Sequence, residues 1–299
     1  MLINIDPMSS LSSVDDNLFI AQQGTIRDSN TIDRIRAYIF KNFKTQLENR
    51  ETFHKYIKTM PSDFQNMINK VKHSDEITSR ICQQFESSKC DIKFLDDIDE
   101  LYISHYNIDN GGDQGLFDKH YDGVLKFVKN GTIIRALVYI NSEDNFVVHF
   151  IDSKKDVHFK TNDFGLLDFN REYHYVDGEY DDNMKTEDNR IILKLHYLVC
   201  PDCSETYIKT LAFFNKLFSF DITRTAMDYS KNPQTPFQVF VGFLCNLFRR
   251  LNNISVYLAL IAGIIVFVIG IAIIYLLVQF VYKFTKAPLT KLRRKYLKV

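Results

Sequence analysis

GLFDKHYDGVLKF, residues 115–127, sets His120 and Asp122 two positions apart in a run bounded by aromatic and aliphatic side chains. In an extended chain alternate side chains share a face, so both groups point the same way. What they face depends on the segments around them. After Cys90 the chain is a series of strand-like runs: ELYISHYNI (100–108), LFDKHYDGVLKFV (116–128), TIIRALVYI (132–140), NFVVHFID (145–152), DVHFK (156–160), FGLLDFN (164–170) and RIILKLHYLV (190–199). The joints are turn material, such as Asp109-Asn110-Gly111-Gly112, Asn130-Gly131 and the stretch from Asn141 to Asn145. Several short strands at near-regular spacing predict a β-sandwich or barrel.

Before Cys90 the pattern is helical. Ile32, Ile35, Ala37, Tyr38, Ile39 and Phe43 recur at three- and four-residue steps within a stretch running from Thr31 to Met60. Ser29 or Asn30 can cap its start. A second helical run holds Phe64, Met67, Ile68 and Val71, and a third holds Ile77, Ile81 and Phe85. Residues 1–28 are polar and aperiodic and read as a flexible leader. The expected order is a helical support region over 29–90, packed on a β domain over 91–232 that ends in further helix.

Net charge is zero, with 37 basic and 37 acidic residues. Lys283, Lys286, Lys291, Arg293, Arg294, Lys295 and Lys298 form a basic tail without an acid, so the rest of the chain is net acidic. General nucleic-acid binding, which rests on Lys and Arg, is not expected. Cys82, Cys90, Cys200, Cys203 and Cys245 are odd in number and widely spaced, so free thiols in a reducing compartment are expected. Cys200-Pro-Asp-Cys203 is half a zinc site, a redox pair or two unreactive thiols, and the last is the plainest reading.

From Val256 to Tyr282 there is no charged residue over 27 positions, more than the roughly 20 that span a bilayer core. This predicts one C-terminal transmembrane helix over 254–283 as a bilayer anchor. An amphipathic juxtamembrane segment (233–253) precedes it, and the basic tail (284–299) follows. The N-terminus lacks a basic region followed by an apolar core, so a single-pass membrane protein with its N-terminal domain in the cytosol is expected.

GLLDFNREYHYVDGE offers His174 at the end of another apolar run, 54 positions after His120, and Arg190 opens the last long strand. Two histidines and one carboxylate on one face are the ligand set of non-haem Fe(II) oxygenases. His149 and His158 are rival ligands on neighbouring strands. The ordered set FDKHYDG, ALVYIN, GLLDFNREYHYVDGE and RIILKLHYLV resembles the 2-oxoglutarate- and iron-dependent oxygenases of the prolyl 4-hydroxylase-like branch, over roughly residues 95–200.

The resemblance implies an α+β protein with a double-stranded β-helix (jelly-roll) core. It implies Fe(II) on His120, Asp122 and His174, and 2-oxoglutarate with its distal carboxylate on Arg190. Tyr139 and Tyr106 would stand near the cosubstrate, and ascorbate is an accessory reductant. The activity implied is hydroxylation of a C–H bond, with a prolyl or lysyl side chain of a protein or peptide as the natural target. Two departures stand out. NFVVHF carries no glycines where the family commonly has Gly-Gly-x-Leu-x-Phe, and 16 positions separate His174 from Arg190, which leaves Lys194 as a rival cation. The other reading is an inactive oxygenase fold kept as a binding or structural module, for example in a virion or an organelle membrane.

Overall fold

The computed structural model describes residues 18–49, 53–85, 90–104, 119–123, 131–142, 146–178, 190–200, 203–222, 229, 233–255, 258, 261–266, 268–270, 272 and 275–276. The chain divides into two compact units, 1–224 and 225–299.

The first unit carries ten strands among its described residues: β1 (Gln22–Thr25), β2 (Phe53–Tyr56), β3 (Ile92–Phe94), β4 (Glu100–Ser104), β5 (Thr132–Asn141), β6 (Phe146–Phe150), β7 (Lys155–His158), β8 (Asp163–Asp168), β9 (His174–Gly178) and β10 (Arg190–Val199). A large antiparallel sheet runs in the order β1-β8-β5-β10-β4-β2, with β3 also paired to β10. A small sheet runs β7-β6-β9. The chain leaves the large sheet after β5, makes β6 and β7 in the small one, returns for β8, crosses for β9 and returns for β10. This winding between two antiparallel sheets is the jelly-roll arrangement expected of a double-stranded β-helix.

The helices are α1 (Ser29–Asn42), α2 (Lys44–Glu48), α3 (Ser62–Lys72), α4 (Asp75–Cys82) and α5 (Glu205–Asn215), the last continued by a π-helical turn, Lys216–Ile222. Asp28, one residue ahead of the expected caps, starts α1; its carboxylate accepts from the Thr31 amide at 3.0 Å and the Thr31 hydroxyl at 2.6 Å. The predicted helical pattern from Thr31 to Met60 is interrupted. Helix α2 ends at Glu48, and Phe53–Tyr56 pairs with β4 as β2. The Phe-His-Lys-Tyr stretch covers an edge whose backbone groups lacked partners, a non-local gain that helical periodicity cannot show.

Alternation divides the large sheet into two faces. Ile191, Leu193, Leu195, Tyr197 and Val199 of β10, with Ile134, Ala136, Val138 and Ile140 of β5, pack against Ile32, Ile35, Ile39, Phe64, Ile68, Val71, Ile77 and Ile81 of the helices. Fully burying each such aliphatic side chain contributes about 1.5–3 kcal/mol. The opposite face, with Tyr102, Leu137, Tyr139, Leu167 and Ile192, joins Phe146, Val148, Phe150, Val157 and Val176 of the small sheet. The helices thus brace one side of the large sheet and leave the other to build a site.

Two expectations are corrected. Cys82–Cys90 and Cys200–Cys203 are disulfide-bonded, with Cα atoms 5.4 and 5.5 Å apart. Each pair is local, so wide spacing across the whole chain was the wrong test. The second correction concerns the anchor. Among the described residues no helix is long and apolar enough to cross a membrane. The expected transmembrane helix, its bilayer contact and the single-pass membrane localisation are therefore not carried forward.

The long helix of the second unit is α6 (Pro236–Ile254), started by a Thr235/Gln238 capping box and stopped at Ser255, whose φ of −161° and ψ of 126° are extended. It includes Gln238, Asn246, Arg249, Arg250, Asn252 and Asn253, which lower its apolar content. Most other positions of 256–282 lie outside the described residues, as does the basic tail.

Candidate metal centre

His120 and Asp122 lie within the described residues 119–123, which backbone hydrogen bonds hold at His120 and at Gly123. The His120 amide donates to the His174 carbonyl at 2.9 Å, and the His174 amide donates to the His120 carbonyl at 3.0 Å. At the other end the Gly123 amide donates to the Phe169 carbonyl at 2.8 Å. A Cβ at position 123 would lie 2.1 Å from Asn170 Oδ1 and 2.8 Å from the Phe169 ring, so glycine permits the close approach of the backbone to these side chains. These bonds lay the segment beside β9, at whose first position His174 stands.

The three side chains converge. His120 Nε2 is 3.6 Å from Asp122 Oδ1, and His174 Nε2 is 3.6 Å from Asp122 Oδ2. One ligand atom from each lies within 4.8 Å of the others, and this is the one such group among the described residues. His174 Nδ1 lies 3.1 Å from the Glu172 carbonyl, which can only accept; the proton therefore sits on Nδ1 and Nε2 presents its lone pair to the cluster. Burial lowers the His174 imidazole to about 4, against the pull of Asp122 and with help from His120, so it is neutral at pH 7. Burial works to raise the Asp122 carboxyl, but Arg135, His174 and His120 outweigh it and hold it well below the usual carboxylate range. Two imidazoles and one ionised carboxylate suit a divalent transition metal.

Arg190 and Tyr139 meet on the inner face of the large sheet. Arg190 is 2% exposed. Its Nη2 donates to the Tyr139 hydroxyl at 3.2 Å and its Nη1 reaches Ser104 Oγ at 3.5 Å. Its Nε has no hydrogen-bond partner among the described residues. Tyr139 stacks on Phe159 at 4.5 Å between ring centroids, Phe159 meets Phe150 edge-on at 6.4 Å, and Phe150 lies 6.3 Å from His174. A continuous aromatic wall therefore joins the cationic end to the histidine end.

Lys194, the rival cation, lies with its Nζ 4.0 Å from the Tyr102 ring centroid. His149 pairs with Asp156 at 2.7 Å and stacks on Tyr175, and His158 is exposed on β7; neither joins the cluster. Tyr106 lies outside the described residues. Sequence reasoning missed Arg135. Its Nη1 is 2.5 Å from Asp122 Oδ2, its Nε donates to His196 Nε2 at 2.9 Å, and its guanidinium lies 4.4 Å from the Phe169 ring centroid. An arginine and a histidine inside otherwise apolar strand runs were the available signal.

No protein-family profile and no curated protein matches this chain. Among solved structures it is similar to a viral collagen prolyl hydroxylase from Paramecium Bursaria Chlorella virus-1, in complex with 2OG. The identity is 13% over 60% of this chain and 97% of that one, with a TM-score of 0.39. It is also similar to iron-bound HygX from Streptomyces hygroscopicus, at 11% identity over 61% of this chain and 82% of the other, with a TM-score of 0.37. A prolyl-4-hydroxylase from Pseudomonas putida gives 12% identity over 62% of this chain and 95% of the other, with a TM-score of 0.36.

Proposed function

We propose that this chain is an Fe(II)- and 2-oxoglutarate-dependent oxygenase that hydroxylates a C–H bond. The observation that carries the reading is the His120–Asp122–His174 cluster, compact enough for one ion. The donor set fits Fe(II): two imidazoles and a single carboxylate bind it while leaving coordination positions for a chelating cosubstrate. Arg190 fits the other half of the cosubstrate. A buried guanidinium without a carboxylate partner is costly, and its orphaned Nε faces that cost among the described residues. A dicarboxylate supplies the counter-charge, with the Tyr139 hydroxyl beside it.

Bound Fe(II) supplies the redox chemistry, coupling oxidative decarboxylation of 2-oxoglutarate to hydroxylation of the substrate. The chain does the rest. Neutral His174 and ionised Asp122 hold their ligand states at pH 7 without gaining or losing a proton. Arg190 orients the dicarboxylate, and Phe150, Phe159 and Tyr139 exclude water from its flank. A specific observation favours a second reading: the Arg135–Asp122 ion pair already neutralises the carboxylate, as in a fold kept for structure or binding without metal.

Anaerobic titration of the full chain separates the two. Fe(II) followed by 2-oxoglutarate should raise a visible charge-transfer band in the wild type and none in His174→Ala. Arg190→Met should weaken 2-oxoglutarate binding roughly 10- to 100-fold, the loss of a charge-assisted anion contact. A wild-type chain that binds 2-oxoglutarate no better with Fe(II) than without it sinks the oxygenase reading.

A further inference from the structure

A run of hydrogen-bonded polar side chains leads from the helices through the large sheet to the cluster. It begins at Lys72, on the last turn of α3, which is fully buried. Lys72 Nζ donates to Asp99 Oδ2 at 2.5 Å and to Asp96 Oδ1 at 2.7 Å. Asp99 Oδ1 accepts from the His196 amide at 2.8 Å and lies 3.3 Å from His196 Nδ1. His196 on β10 faces Arg135 on β5 in register, and Arg135 Nε donates to His196 Nε2 at 2.9 Å. Arg135 Nη1 then meets Asp122 Oδ2 at 2.5 Å.

The direction of the run follows from chemistry. Arginine has donors only, so His196 Nε2 must be the bare acceptor. The imidazole proton is therefore on Nδ1, facing Asp99, a carboxylate that can only accept. Asp99 fixes the tautomer, the tautomer fixes Arg135 Nε, and the planar fork then aims Nη1 at one oxygen of Asp122. Phe169 and Phe220, at 4.4 and 5.5 Å from the guanidinium, flank the fork. At 2.5 Å this contact is shorter than the 3.6 Å that separates Asp122 from either histidine.

We propose that Arg135, held by His196, is the positioning residue of the metal carboxylate: it occupies Asp122 Oδ2 and thereby presents the carboxylate to a metal through Oδ1. This rests on the metal-binding reading above. It also changes the sense of the Arg135–Asp122 ion pair, which becomes the device that orients the ligand rather than one that replaces the metal. The guanidinium charge opposes a cation, so the test keeps that charge constant and changes only geometry.

Arg135→Lys retains the charge but cannot reach His196 and Asp122 together. His196→Leu removes the far anchor, and His196→Gln restores an acceptor for Arg135. The full chain is titrated with Mn(II) for affinity and with Co(II) for its visible ligand-field spectrum, with folding checked by circular dichroism. Arg135→Lys should bind Mn(II) about 10- to 100-fold more weakly, the usual cost of losing a partner behind a metal ligand, and should shift the Co(II) bands. His196→Leu should move both readouts the same way, and His196→Gln should return them towards the wild type.

A folded Arg135→Lys chain with wild-type Mn(II) affinity and an unchanged Co(II) spectrum overturns the proposal. If Arg135→Lys does not fold, the His196 pair decides: wild-type binding by His196→Leu overturns it. A wild-type chain that takes up neither ion overturns the metal reading together with this one, and that outcome is distinct from the others.

Discussion

Asp122 is partly buried and Asp168 fully buried, and their neighbours send the two carboxylates in opposite directions. Asp122 faces Arg135 and two imidazoles and is held ionised. Burial pushes the Asp168 carboxyl up to about 6, against Arg171 and the amides of Asn170, Arg171 and Phe19. Its Oδ1 accepts from the Asn170 and Arg171 amides at 3.1 and 3.0 Å, while Oδ2 lies 3.5 Å from Arg171 Nε and has no hydrogen-bond partner among the described residues. The folded protein thus binds the Asp168 proton more tightly than the unfolded chain, and its contribution to stability falls as pH rises from about 4 to about 6. Asp168→Asn keeps an acceptor for both amides and removes the titration. The stability of Asp168→Asn relative to the wild type, from urea unfolding, should rise across that window by roughly 1–3 kcal/mol. A difference that stays flat between pH 4 and pH 7 refutes the argument. The cluster itself was legible in the sequence because strand alternation puts His120 and Asp122 on one face, and His174 follows an apolar run. Arg135 and His196 were not, since each looked like one polar letter in a core strand and the pair forms only when β5 and β10 align.

Strand β8 shows how a neighbouring element shapes the wall of the site. Gly165 pairs with Leu137 of β5, and a Cβ there would lie 2.5 Å from the Phe159 ring. Phe159 is the middle of the aromatic wall that joins Tyr139 to Phe150. Gly165→Ala should therefore destabilise the fold by roughly 1–3 kcal/mol, the usual cost of overpacking, and should also weaken 2-oxoglutarate binding by displacing the ring that Tyr139 stacks on. Gly24→Ala is the control. Its Cβ would meet the Phe164 ring at 2.5 Å, but Phe164 packs with the helices on the other face, so stability should fall while cosubstrate affinity stays. Equal loss of affinity in both, measured by titration beside thermal melts, would show that general loosening and not the wall is responsible. The strand runs after Cys90 could be read from periodicity because one face of each is buried. The break between α2 and β2 could not, because it depends on the open edge of β4, about fifty positions away in sequence.

In the unit spanning 1–224, the cluster ties the 119–123 segment to β9, so whatever binds there couples to the stability of the sheets. A ligand that binds only the folded state adds RT ln(1 + [L]/Kd), about 2.7 kcal/mol at a hundredfold excess over Kd. For a unit of this size each kcal/mol moves Tm by about 2–4 °C, so saturating Mn(II) should raise the melting transition by roughly 5–10 °C. His120→Ala should remove most of that gain, because the remaining pair, Asp122 and His174, cannot close the cluster. Its own metal-free Tm should change little, since the His120 backbone bonds to His174 persist without the side chain and the ring is only partly buried. Adding a chelator to the Mn(II)-loaded wild type should return its transition to the metal-free value. Mn(II) that raises the Tm of His120→Ala as much as that of the wild type would mean the ion stabilises the chain from somewhere else. The cluster would then be a buried polar contact, with no ion to hold.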